Sequence, residues 1–367
     1  MPYTTISGDL SEHTEWVAGT YYLTADCNLG NYNLTLNCSA GNIVIKTSGN
    51  KQIKLNGTGV IATSNSSTTK KVIFTSKNDD LHGDVIDGSS ASPAIGDQSK
   101  GFLSVTANNV SVNFLHTEWW YCEVIDDGIL DFGNTSIGQS VGISLSLTNI
   151  TFKYCGLKNG SDTDSTFIGQ WRRTGFLSLT IDGLYVDSTN RILESGAMKG
   201  TVVSFGNCVT VSITNINIEL TCNNVGYGLI KIRASTIAII VTLGSYYIKG
   251  NTETAALLFL ASGVAASLTL TMQDGLIDMK DNAIARAAVS LAQASNAVFN
   301  FTMRRTTICN CNVGVSESGI ITGYDEDYNN FYNNGTNATS ALGAHTGQSN
   351  PIAAQPLLIG QNALQNK

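Results

Sequence analysis

The chain has 367 residues, of which only 13% are charged, and a formal net charge of −7. Without a basic run to meet phosphates, neither nucleic acid nor an anionic membrane is an expected partner, and no stretch approaches the ~18 consecutive apolar residues of a membrane span. Its polarity comes from Asn, Ser, Thr and Gly, and no Pro-rich or charged linker divides it, so one body is expected.

The start, Met1-Pro2-Tyr3-Thr4-Thr5-Ile6-Ser7, lacks a charged segment followed by an apolar one, so no secretory signal is read there. Either a signal was removed or the protein leaves its cell another way, as a phage structural protein does on lysis. Residues 14–23, Thr14-Glu15-Trp16-Val17-Ala18-Gly19-Thr20-Tyr21-Tyr22-Leu23, resemble the N-terminal cap of right-handed β-helix proteins. Residues 1–26 are accordingly read as a cap, with Trp16 over the open end of the core. Strands at residues 34–36, 43–45 and 53–55 would form narrow first turns. A polar loop at 62–70 leads to Val72-Ile73-Phe74, followed by the acidic segment 77–88 and a Ser/Ala/Pro/Gly loop at 89–100.

From about residue 102 the chain becomes periodic. In Leu145-Ser146-Leu147-Thr148-Asn149-Ile150-Thr151-Phe152 the apolar positions alternate up to Leu147, shift phase at Asn149 and resume at Ile150 and Phe152. This reads as two short strands meeting at a one-residue corner. With Leu147 as anchor, the series runs Val112, Leu147, Ile181, Ile213, Leu243, Met272, Met303, at spacings of 35, 34, 32, 30, 29 and 31 residues. The corner column reads Asn149, Gly183, Asn215 and Ser245, residues that tolerate left-handed backbone. A third strand recurs at 129–134, 202–207, 230–232, 257–260 and 289–291. The Val, Ile, Thr, Ser and Asn content excludes helical repeats. Three strands per coil of about 30 residues predict an all-β, right-handed parallel β-helix solenoid. Each coil would lie ~4.8 Å from the last and bury its apolar face only against its neighbours. Coils are expected over 27–325, with 326–367 as last coil and C-terminal tail.

Two further stretches carry a family likeness. Val85-Ile86-Asp87-Gly88 looks like a turn found in polygalacturonase-like β-helices. Tyr328-Asn329-Asn330-Phe331-Tyr332-Asn333-Asn334-Gly335, with Ala354-Gln355-Pro356-Leu357-Leu358, resembles the last coil of bacterial β-helix repeat proteins, which usually carry Asp where Gln355 stands. The chain as a whole resembles the pectate-lyase-like superfamily of parallel β-helices. That resemblance implies a fold that carries lyases, hydrolases, epimerases, phage tailspikes and adhesins.

Enzymes of this superfamily usually work on the outer face of one sheet. Lyases need a base near a cation held by carboxylates, and hydrolases need two or three carboxylates in one patch. The outer column of the third strand reads Asp131, Ser204, Lys231, Phe259 and Ser290, with Arg233 beside Lys231. Asp131 and Lys231 would lie about three turns, roughly 14 Å, apart and cannot share a reacting group. Asp126 and Asp127, with Asp131, resemble the paired Asp of polygalacturonase-like enzymes, but the Asn-Thr-Asp and Gly-His-Gly partners of that family are absent. Asp126, Asp127, Asp131, Lys231 and Arg233 are thus the catalytic candidates of an alternative reading, and the first expectation is no catalytic site.

Asp79, Asp80, Asp84 and Asp87 form the densest acidic segment and could hold Ca²⁺ through oxygens, although an ordinary turn is the first reading. Trp119, Trp120 and Tyr121, with Trp171, Arg172 and Arg173 one coil on, are the glycan-binding candidates, because sugar C–H faces stack on aromatic rings. The blander alternative is a loop packed on the coil by its own aromatics. Cys155, Cys222 and Cys311 recur after the corner strand and are read as buried free thiols. Cys309 and Cys311 have no second pair at zinc-ligand spacing.

The expected function is a non-enzymatic surface component, extracellular or virion-associated, of spike, fibre or decoration type, contacting a polysaccharide or glycan surface. Virion or cell-surface proteins are further expected partners, and a spike would be a trimer. The alternative is a secreted polysaccharide lyase or glycoside hydrolase. No cofactor is expected beyond the Ca²⁺ of the acidic segment.

Overall fold

The structure, a computed structural model, describes residues 3–125, 128–132, 142–158, 165–170, 176–193, 200–206, 208–220, 229–234, 238–250, 255–262, 266–279, 287–293, 297–319 and 321–338. It is a parallel β-solenoid with roughly 30 residues per coil. Two arms and a third strand make each coil. In the first coils the arms are separate strands, Thr14–Val17, Leu34–Asn37 and Ile61–Ser64 for the first, and Gly19–Leu23, Ile43–Thr47 and Val72–Ser76 for the second. From Ser111–Trp120 onward they fuse into one long strand, which pairs with Ile61–Ser64 through its first half and with Val72–Ser76 through its second.

The fused strand bends at a left-handed residue in each coil. His116, Asn149, Gly183, Asn215, Ser245, Asp274 and Arg305 have φ of 48°, 52°, 86°, 53°, 51°, 58° and 49°. One residue of positive φ reverses the pleat, so side chains on either side of the corner resume pointing inward in phase. At Gly183 a Cβ would come within 2.6 Å of Asn149 Oδ1 in the corner above, which explains the one glycine in this column.

The inward columns form the core. Leu147, Ile181, Ile213, Leu243, Met272 and Met303 are register partners in successive strands and are fully buried. The residue above Leu147 is Phe114, and Val112 pairs with Leu145, so the first spacing of the anchor series is corrected from 35 to 33 residues. A slip of two keeps Val112 inside but moves it to the neighbouring column. In the second arm the column runs Tyr21, Ile45, Phe74, Trp119, Phe152, Val186, Ile218, Ile248, Ile277, Ile308 and Phe331. Trp16 lies in the terminal rung of the first arm, paired with Leu36 and stacked on Tyr21 at 4.6 Å.

Asparagines bind coil to coil. Asn190 accepts from the Cys155 N–H and donates to the Phe152 carbonyl. Asn329 does the same for Thr306 and Met303, and Asn334 for Cys311 and Ile308. Each amide thus closes an N–H and the carbonyl three residues before it in the coil above, groups that a bend would otherwise leave unpaired. The described cysteines Cys27, Cys38, Cys122, Cys155, Cys208, Cys309 and Cys311 are free and buried, and Cys222 lies outside the described residues. Burial pushes the Cys155 and Cys208 thiols up to about 12.

Candidate functional site

The outer face of the second arm is covered at its N-terminal end. Val44 points away from the core yet is 4% exposed, because the loop after Ser76 folds over it, and Ile73, its register partner in the next coil, is 3% exposed. Gly83 packs so close that a Cβ would lie 2.5 Å from Thr20 Oγ1 and 2.9 Å from Val44 Cβ. Lys46, fully buried on the same face, straps the loop down by donating to the carbonyls of Asp79 at 2.5 Å and Asp84 at 2.7 Å. Burial lowers the Lys46 pKa against the opposing pull of Asp79, Asp80 and Asp84.

The acidic segment supplies the other half of this strap. The buried Asp79 carboxylate accepts from the Thr75 hydroxyl at 2.6 Å and the Leu81 N–H at 3.0 Å, and lies 2.6 Å from His82 Nδ1. Burial works to raise its pKa, but the hydrogen bonds from His82 and Thr75 outweigh that and hold it below the usual carboxylate value. Asp80 accepts from Ser89, the Asp84 N–H donates to Thr20, and Asp87 is exposed. Among the described residues no three His, Cys, Asp or Glu side chains converge as a metal-ligand group.

Beside the loop edge, aromatic rings gather on the outside of the coil. Trp120 ends the strand Ser111–Trp120 and faces outward, with its ring centroid 4.6 Å from His82 and 5.9 Å from both Tyr121 and Tyr154. Tyr121 and Tyr154 stack at 5.3 Å with an interplanar angle of 14°. They occupy equivalent positions after the second arm in successive coils, at φ of 58° and 51°. A bulky residue held left-handed costs roughly 1–2 kcal/mol, which Asn or Gly would avoid.

Polar groups border these rings. The Trp120 indole N–H donates to Glu118 Oε2 at 3.0 Å, and Glu118 pairs with Lys71 at 2.7 Å. Burial opposes ionisation of Glu118, but Lys71 and the indole hold its pKa below the usual value. Lys153, the register partner of Trp120, sets its ammonium 4.9 Å from the Trp120 ring centroid. An apolar ring face, two phenols, a carboxylate and an ammonium lie within one patch, the mixture a sugar residue requires.

Of the residues expected here from the sequence, Trp119 is not on the surface. It is fully buried inside the coil, stacked between Phe74 at 5.9 Å and Phe152 at 5.0 Å, so it cannot offer a face to a ligand. Trp119 and Trp120 also sit in a regular strand, not in a loop packed on the coil. Trp120 and Tyr121 are brought together, although Tyr121 is 8% exposed and Tyr154, at 40%, offers the larger surface. Tyr154, Lys153 and His82 were missed. The repeated dipeptides Tyr121-Cys122 and Tyr154-Cys155, 33 residues apart, were the available signal for Tyr154. Trp171, Arg172 and Arg173 lie outside the described residues.

Among the described residues, the catalytic candidates Asp131 and Lys231 do not meet. Asp126 and Asp127 lie outside the described residues. Asp131 is 6% exposed and lies 3.4 Å from the Ser104 hydroxyl. Lys231 is 2% exposed and pairs in register with Ser204, which pairs with Gly169, the residue level with Asp131. That leaves Asp131 and Lys231 three rungs, roughly 14 Å, apart. Arg233 is engaged by Ser262 at 2.8 Å. Phe259 belongs to the inner face, and the outward column passes through Leu258.

No family model, curated protein or solved structure matches the chain. The functional reading therefore rests on the patch itself.

Proposed function

We propose that this solenoid is a non-enzymatic, glycan-contacting surface component, extracellular or virion-associated, of the pectate-lyase-like kind. The patch of Trp120, Tyr121 and Tyr154 is its contact site. One observation carries the reading: two stacked tyrosines occupy strained left-handed positions where Asn or Gly would be easier, beside an outward Trp bordered by Lys153 and Glu118. Contact between the two rings offsets part of that strain, and the stacked pair also offers a surface for pyranose rings. The wide separation of Asp131 and Lys231 supports binding over cleavage. A spike or fibre role would bring a trimer and virion or cell-surface partners.

The test is retention on a panel of bacterial and algal polysaccharides, with unsaturated-uronate absorbance and reducing ends measured in parallel. Trp120→Ala and Tyr154→Ala should each lose retention, with no product from any polymer. Product release that depends on Asp126, Asp127 or Asp131 would overturn the reading, as would binding indifferent to Trp120 and Tyr154.

A further inference from the structure

Beside the aromatic patch two side-chain nitrogens have no hydrogen-bond or ion-pair partner among the described residues. Lys153 holds its ammonium 4.9 Å from the Trp120 ring centroid and makes no salt bridge there. Glu118, close enough to feel that charge, is bonded instead to Lys71 at 2.7 Å and to the Trp120 indole at 3.0 Å. By contrast Lys249, outward on the same arm, is answered by Glu219 at 2.8 Å. His82 packs on the Trp120 ring and turns its Nδ1 to the fully buried Asp79 carboxylate at 2.6 Å. Its other nitrogen, Nε2, is open to solvent, on a side chain that is 21% exposed.

Asp79 fixes how His82 presents itself. An ionised carboxylate only accepts hydrogen bonds, so Nδ1 carries the proton, and a neutral ring offers Nε2 as a bare lone pair. A protonated ring offers a second N–H and a positive charge at that point, and histidine makes this change between about pH 8 and about pH 5. The other charged groups around the ring are, on its own loop, Asp79, Asp80 and Asp84, which Lys46 opposes from the strand they cover. On the second-arm strands they are the Glu118–Lys71 pair and the unpaired Lys153, with the Tyr121 and Tyr154 phenols beside them. A ring face stacks on any pyranose, but an ammonium without a carboxylate discriminates, because only an anion gives it a charge-assisted bond. We propose that Lys153 Nζ and His82 Nε2 form an anion subsite against Trp120, so that the polysaccharide taken by the patch carries a carboxylate or sulfate group and binds more tightly as His82 gains its second proton. This rests on the aromatic patch being the contact site.

The test runs the full chain on dextran sulfate, alginate and unsubstituted dextran at about pH 8 and about pH 5.5. Sulfate stays ionised throughout, so a pH effect on that matrix comes from the protein. The unaltered protein should be held by dextran sulfate, by alginate or by both, several-fold more strongly at the lower pH, and not by dextran. Retention on one charged matrix alone identifies the group as sulfate or carboxylate. Lys153→Met should weaken retention ~10-fold, and Lys153→Arg should keep most of it. His82→Gln should abolish the pH dependence and leave the retention seen at the higher pH. Lys249→Met should change nothing, since that ammonium is already paired. Circular dichroism and thermal melts establish that each variant is folded, and the Lys153 variants decide the matter even where His82→Gln loosens the loop. The proposal fails if neither charged matrix holds the protein, if dextran holds it equally well, if Lys153→Met has no effect, or if the pH dependence survives in His82→Gln. Retention on dextran that Trp120→Ala abolishes would overturn the anion subsite and leave the contact site standing, whereas charged-matrix retention indifferent to Trp120 and Tyr154 would remove both.

Discussion

Arg191 reaches across Gly156 to Glu123, two rungs away, donating through Nε at 3.1 Å and an Nη at 2.7 Å to one carboxylate oxygen. The three residues head the small sheet of Glu123–Ile125, Gly156–Lys158 and Arg191–Leu193. Gly156 is the clearance this pair needs, since a Cβ there would stand 2.9 Å from Glu123 Oε1 and 3.0 Å from Ile95 Cγ2. The arginine side chain is 43% exposed and the glutamate 15%, so solvent screens much of the attraction. Arg191→Ala is expected to cost at most about 1 kcal/mol. A double-mutant cycle with Glu123→Gln in urea, repeated at high salt, measures the pair. A coupling that is unaffected by salt would show that Coulomb attraction is not its source.

The core columns should be costly to hollow out. Leu147→Ala, Ile181→Ala and Ile213→Ala are each expected to destabilise by about 2–5 kcal/mol, and Trp119→Ala by about 3–5 kcal/mol. Urea unfolding is the measurement, and changes within about 0.5 kcal/mol, typical of surface positions, would refute the inward register.

Tyr154→Asn separates the two roles of the stacked tyrosines. Asn tolerates left-handed backbone, so relief of about 1 kcal/mol of strain should offset much of the lost ring contact. Melting temperature should therefore change little while polysaccharide retention falls. A large loss of stability would make the stack a structural device.

Asn190→Ala leaves the Cys155 N–H and the Phe152 carbonyl unpaired in a buried corner, at about 1–3 kcal/mol per group. Hydrogen exchange at the Cys155 amide should accelerate before that of amides several coils away. Uniform acceleration along the stack would mean that the bracket acts globally.

Asp79 gives a pH signature. Its folded pKa lies below the ordinary value of 3.8, so the carboxylate stabilises the fold fully above that value, and the contribution is lost as pH falls through the folded pKa. Acid unfolding of Asp79→Asn should be correspondingly less steep in that window. Identical acid profiles for the two proteins would remove Asp79 from the strap.

Where burial repeats on one face of every coil, the architecture could be read from sequence. The column from Leu147 to Met303 and its corner at Asn149, Gly183, Asn215 and Ser245 stand as expected. The site was harder, because two adjacent tryptophans look alike until the phase of the strand is known. Placing His116 level with Asn149 sets Trp119 opposite Phe152 and sends Trp120 outward, but the corner column was read only from Asn149 onward and did not include His116. The covering loop had a signal that went unused. Ile43-Val44-Ile45 and Val72-Ile73-Phe74 are apolar on both faces, the pattern of strands covered on both sides.

The free thiols have a mechanical corollary. Among the described residues no disulfide joins one coil to another, and the strands of each coil pair only with those of the coils on either side. A molecule pulled from its ends in an optical trap would then lengthen in a staircase, releasing one coil at a time, about 100 Å of extended chain for about 30 residues. Adding a reductant would leave that staircase unchanged, since there is no cross-link among these cysteines for it to cut.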